Sequence, residues 1–95
     1  MFIVLLRFSD KRALAQQFME GHNAWLRRGF DDGVVLLAGS LQPQAGGAIL
    51  VHNISRADLE MRLNEDPFVA ADVVKPDILE VAASRADERL AFLLG

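Results

Sequence analysis

The first eight residues, MFIVLLRF, are apolar except for Arg7 and rich in β-branched and aromatic side chains, which predicts a strand. From about Lys11 the period changes. Counting about 100° per residue, Leu14, Ala15, Phe18, Met19, Trp25 and Leu26 fill one arc of roughly 140°. Gln16, Gln17, Glu20, Asn23, Arg27 and Arg28 fall opposite. This division predicts an amphipathic helix from about Lys11 to Arg28, with Gly29 as its stop. His22 breaks the pattern by lying near the middle of the apolar arc.

Asp31-Asp32-Gly33 is a turn signal. VVLLAGSL, residues 34–41, predicts a second strand that is apolar on both alternating sets. Val34, Leu36 and Ala38 fall on one side of it, and Val35, Leu37 and Leu41 on the other. QPQAGG, residues 42–47, is a loop. Its Gly46-Gly47 pair belongs to a hairpin, because no helix follows to make a phosphate site. AILVHNI, residues 48–54, predicts a third strand. Ser55-Arg56-Ala57-Asp58 forms a capping box for a helix to about Asn64. Asp66-Pro67 signals a second start, Asp66 as N-cap and Pro67 at the first helical position. Pro76 bounds that short helix. DILEVAA, residues 77–83, predicts a fourth strand. A second Ser-Arg-Ala-Asp, at 84–87, predicts the cap of a short C-terminal helix through ERLAFLL.

The order β-α-β-β-α-β predicts a ferredoxin-like α+β fold with a four-stranded antiparallel sheet. The 95 residues make a single domain, residues 84–95 being a C-terminal tail. An antiparallel sheet with one wet face should alternate apolar with polar, and the first two strands do not. A second copy packed sheet to sheet, giving a dimeric α+β barrel, is the expected cover.

Composition narrows the function. A hydrophobic fraction of 52% with 24% charged residues excludes a disordered chain. Thirteen acidic residues outnumber ten basic ones, and no basic cluster is longer than Arg27-Arg28, so nucleic acid is not an expected partner. The chain has no cysteine, which removes disulfides, thiolate nucleophiles and cysteine-ligated metals. The apolar start is too short to span a bilayer and is followed by Arg7, Asp10, Lys11 and Arg12. No membrane role is expected, and a cytoplasmic protein is.

Few residues can carry chemistry. His22 is either a core histidine or a general acid and base beside a pocket. A catalytic histidine needs a partner to fix its tautomer, usually a buried carboxylate, and Asp66 is the candidate, although capping alone would account for it. Gly39 and Ser40, at the end of the second strand, could offer backbone amides and a hydroxyl to a ligand. No nucleophile elbow surrounds Ser40. Arg7 and Lys75 are candidate counter-charges for an anionic substrate. His52 could join His22 and a carboxylate at a metal, but the two histidines lack a ligand spacing, and no metal is expected. No cofactor motif is present.

GHNAWLRRGFDDGVVLLAGSL followed by EDPFVAADVV resembles the YciI-like (YCII-related) family. The shared pattern is a helix-borne histidine, a glycine-rich turn, an "AG" strand end and "DPF" opening the second helical segment. It extends from the first strand to about Ala83. The resemblance implies a dimeric ferredoxin-like barrel and a His–Asp dyad at His22 and Asp66. It also implies lyase chemistry on small ring-cleavage acids, such as chloride removal from a chlorinated hydroxymuconate. Family members often carry further polar residues after the "AG", where this chain has Leu41. The expectation is a small homodimer performing cofactor-free lyase or isomerase chemistry on a small anionic organic molecule. The alternative is a non-catalytic ligand-binding barrel in which His22 is structural. Folds of this kind serve both.

Overall fold

The structure, a computed structural model, describes residues 1–94; Gly95, the last residue of the tail, lies outside them. Strands β1 (Phe2–Phe8), β2 (Val35–Leu41), β3 (Gly46–Val51) and β4 (Val74–Glu80) form one antiparallel sheet in the order β2-β3-β1-β4. Helices α1 (Ala15–Asp31), α2 (Arg56–Asn64) and α3 (Pro67–Ala70) complete a ferredoxin-like α+β fold. Phe2, Val4 and Leu6 alternate into the helix side and are buried with Ile49, Val51, Leu59, Leu63 and Trp25. Trp25 also donates its Nε1–H to the carbonyl of Arg62 at 2.8 Å, fastening α1 to α2.

The helix boundaries move for identifiable reasons. A 3₁₀ turn over Arg12–Leu14 precedes α1, which starts at Ala15 rather than Lys11. Gly29 does not stop α1. It is buried inside the helix, where a Cβ would stand 2.6 Å from Val35 Cγ2, so its role is the close approach of α1 to β2. The helix ends at Asp31, and Gly33, at φ +74°, makes the turn that Gly29 was expected to make. Ser55 caps α2 by accepting from the Asp58 amide at 3.1 Å. In the second Ser-Arg-Ala-Asp it is Asp87, not Ser84, that caps, accepting from the Arg89 amide at 2.9 Å. The segment it opens, Glu88–Leu94, is a 3₁₀ helix. The Arg89 guanidinium and amide hold the exposed Asp87 carboxyl below its usual range.

The strands shift as well. β3 runs 46–51 instead of 48–54, taking in both glycines, and β4 runs 74–80 instead of 77–83. Pro76 therefore lies inside β4, which an edge strand permits because alternate amides point away from the ladder. In β2 the register slips between Val35 and Leu37. The bulge moves Val35 onto the face of Ala38, while Leu37 stays opposite Ala38 as alternation predicts. Val35, Ala38 and Ser40 share the helix side, while Leu37 turns out and is 63% exposed. The outer face bears Ile3, Leu5, Leu37, Leu50 and Leu79 in adjacent rows, and α1, α2 and α3 pack against the other side.

Candidate active site

The site begins with a close approach. Gly21 sits inside α1, where a Cβ would stand 2.9 Å from Pro67 Cγ. Pro67 thus packs against the helix one residue before His22, and the flanking Asp66 and Phe68 arrive beside the imidazole. Asp66 caps α3 and is wholly buried. Its Oδ1 accepts from the Phe68 amide at 3.0 Å and lies 2.9 Å from His22 Nδ1. Its Oδ2 is buried without a hydrogen-bond partner among the described residues. A carboxylate held in this way accepts the Nδ1–H of the ring and leaves Nε2 free.

The ring is fixed in plane as well as in direction. Phe68 stacks on it with centroids 4.0 Å apart and planes 7° from parallel, and Trp25 lies at 6.0 Å. The His22 side chain retains 13% of its surface exposed. That surface lines a cavity of about 310 Å³ between α1 and the sheet. Gly47 and Ala38 give the cavity its floor, since neither has a side chain long enough to reach α1. Leu6, Phe8, Leu26, Ile49, Phe68 and Val74 supply apolar walls. The polar side chains on the walls are those of His22, Asn23 and Ser40, with the backbone of Gly39 beside Ser40. This is the usual character of a small-molecule pocket, apolar with a few converging polar groups.

His22, Asp66, Gly39 and Ser40 therefore come together, and other candidates do not. Arg7 alternates with Leu6 and Phe8 and so points to the outer face, where it pairs with Asp77 at 3.0 Å. Lys75, its register partner, pairs with Asp72 at 3.7 Å. Neither lines the cavity, so neither offers a counter-charge to a ligand there. His52 follows Val51 out of the helix side and meets the Phe92 ring edge-on at 5.5 Å, away from His22. Among the described residues no three His, Cys, Asp or Glu side chains gather as a metal group. Asn23, Phe68 and Gly21 were not singled out from the sequence. Gly21 had a signal: a glycine inside a helix costs about 1 kcal/mol against alanine, which usually marks a close approach.

Fold and site together define a ferredoxin-like α+β protein with a buried His–Asp pair opening on an apolar cavity. Neither a protein-family model nor a curated protein matches the sequence. Among solved structures, the chain is similar to 5-chloro-2-hydroxyhydroquinone dehydrochlorinase from Burkholderia phenoliruptrix AC1100, in complex with 2,5-dihydroxybenzoquinone. The likeness has a TM-score of 0.72 at 12% sequence identity and covers 84% of this chain and 91% of the other. At that identity the likeness is one of fold. No helix among the described residues is long and apolar enough to cross a membrane.

Proposed function

We propose that His22 and Asp66 form the acid–base centre of a small YciI-like enzyme of lyase or isomerase type, acting on a small organic molecule in the cavity. The observation that carries this reading is the buried Asp66 carboxylate 2.9 Å from His22 Nδ1, behind a ring whose remaining surface lines a cavity. Asp66 orients the ring and balances the imidazolium that forms when Nε2 takes a proton from the substrate. In an elimination, the electron pair of the broken bond to hydrogen drives out the leaving group at the neighbouring position. Ser40 Oγ–H and the backbone beside Gly39 steady the oxygen on which negative charge develops. His22, in this scheme, then returns its proton to solvent or product. The chain's own residues supply every proton transfer in it.

The active unit in this reading is a homodimer, the second copy covering the outer face of the sheet. Leu37 and Leu79, 63% and 44% exposed, favour such a cover. The test is chloride release from 5-chloro-2-hydroxyhydroquinone and from chlorinated muconate-type acids. Wild type should turn over at least one of them, and His22→Asn and Asp66→Asn should each abolish it. Turnover that survives either change refutes the reading. A second reading, a ligand-binding barrel in which the histidine only staples α1 to α3, draws on Asp66 also being the α3 cap. It expects no turnover from wild type or variant.

A further inference from the structure

We infer that the cavity selects uncharged, hydrogen-bonding single-ring molecules and discriminates against carboxylates of the same shape. This selectivity rests on the acid–base reading above for one point, that a ring able to accept a proton starts neutral. The His22–Asp66 pair then carries one net negative charge, buried with the Asp66 carboxylate. The walls hold nothing to offset it. Their polar side chains, Asn23, Ser40 and His22, are uncharged donors and acceptors, and the other lining side chains are apolar.

The cations around the cavity stay off its walls, Arg27 lining a separate surface hollow one turn beyond Asn23 on α1. Arg7 and Lys75 project from the opposite face of the sheet and pair with Asp77 and Asp72. The Arg12 guanidinium stands 4.7 Å above the Phe8 ring and donates to the Gln44 carbonyl at 2.7 Å. It does not line the cavity. A carboxylate entering this space would give up its hydration for no counter-charge, and that desolvation is costly. It would also feel the Asp66 charge across the imidazole. At about 8 Å and an effective dielectric constant of about 20, that repulsion costs at least about tenfold in affinity.

An uncharged ring with a hydroxyl or amide meets the opposite situation. Its body lies against Leu6, Phe8, Leu26 and Ile49, and its polar group reaches Nε2, Ser40 or Asn23. The volume suits one substituted ring: about 310 Å³ here, where an apolar cavity of roughly 150 Å³ already holds benzene. The cavity's charge thus opposes the anionic ligand that the sequence suggested through Arg7 and Lys75.

Benzamide and benzoate, equal in shape and different in charge, test the inference. Each is titrated to millimolar concentration into ¹⁵N-labelled wild type and followed at the Gly39, Ser40 and Gly47 amides. Benzamide should bind at least about tenfold more tightly than benzoate. Equal or tighter binding of benzoate, or no movement of these amides with either probe, overturns the inference. Asn23→Lys places a cation on the wall from an exposed helix position and should move the advantage to benzoate. No gain for benzoate in that variant would overturn it too. Chloride release judges the acid–base reading separately, so a preference for benzoate would remove the charge rule and leave that reading standing.

Discussion

Replacing His22 by leucine should destabilise the protein, although the residue lies in an apolar arc. The helical pattern alone points the other way: leucine suits the space between Phe18, Met19, Trp25 and Leu26, so the melting temperature should hold or rise. The burial of Asp66 reverses the expectation. The substitution removes the bond from His22 Nδ1–H to Asp66 Oδ1, and a hydrogen bond to a charged group is worth about 1.5–3 kcal/mol. It also removes the Phe68 stack, worth about 0.5–1.5 kcal/mol. Leucine returns about 1–2 kcal/mol through its apolar surface. The carboxylate, wholly buried with Oδ2 unpartnered among the described residues, keeps only the Phe68 amide. The net loss is about 2 kcal/mol, which for a domain of this size lowers the melting temperature by about 8–16 °C. Urea unfolding of His22→Leu, Asp66→Asn and the double variant measures it. Asparagine keeps an oxygen for the Phe68 amide while removing the charge, so the double variant should be less unstable than the two losses added. The coupling should be at least about 1 kcal/mol. A His22→Leu protein as stable as wild type, or strictly additive losses, would refute the reasoning.

Three other outcomes follow from the packing. Trp25→Phe loses the bond to the Arg62 carbonyl and should cost about 1 kcal/mol, seen as a melting temperature about 4–8 °C lower. An unchanged melt would mean that bond does not hold α1 to α2. Gly21→Ala, which in an open helix would add about 1 kcal/mol, should instead lower the urea midpoint because the new Cβ meets Pro67. A higher midpoint would show that the α1–α3 approach has room to spare. Leu37→Asp should convert a wild-type dimer to monomer or aggregate in sedimentation velocity, since a charge buried without a partner costs several kcal/mol. A monomeric wild type at micromolar concentration would remove the second copy.

The fold was legible because element order needs only periodicity. An apolar run, a 3.6-residue arc and cap signals at Ser55 and Asp66 place the strands and helices in sequence, and short connections do the rest. Boundaries were harder, because one residue type answers to two physical demands. Gly29 looks like a helix stop and is a packing contact; Pro76 looks like the bound of a helix and sits in an edge strand. The bulge at Leu36 has no sequence signature, so strict alternation puts Val35 opposite Ala38, whose face it shares in the structure. The sequence carried the two ends of the His22–Asp66 contact, a polar residue in an apolar arc and an Asp-Pro helix start, but no distance between them. Arg7 was misjudged because charge marks a residue as a candidate ligand contact without saying which face of the strand it occupies. Alternation with Leu6 and Phe8 already contained the answer.

The tautomer of His22 tests the central claim most directly, because a base in the cavity must keep its lone pair on Nε2. Long-range ¹H–¹⁵N correlation spectra on labelled wild type distinguish the two ring nitrogens. The account predicts that in the neutral ring Nδ1 carries the proton, donated to Asp66, while Nε2 is unprotonated and shifts when benzamide is added. A proton on Nε2, with Nδ1 bare against Asp66, would contradict it.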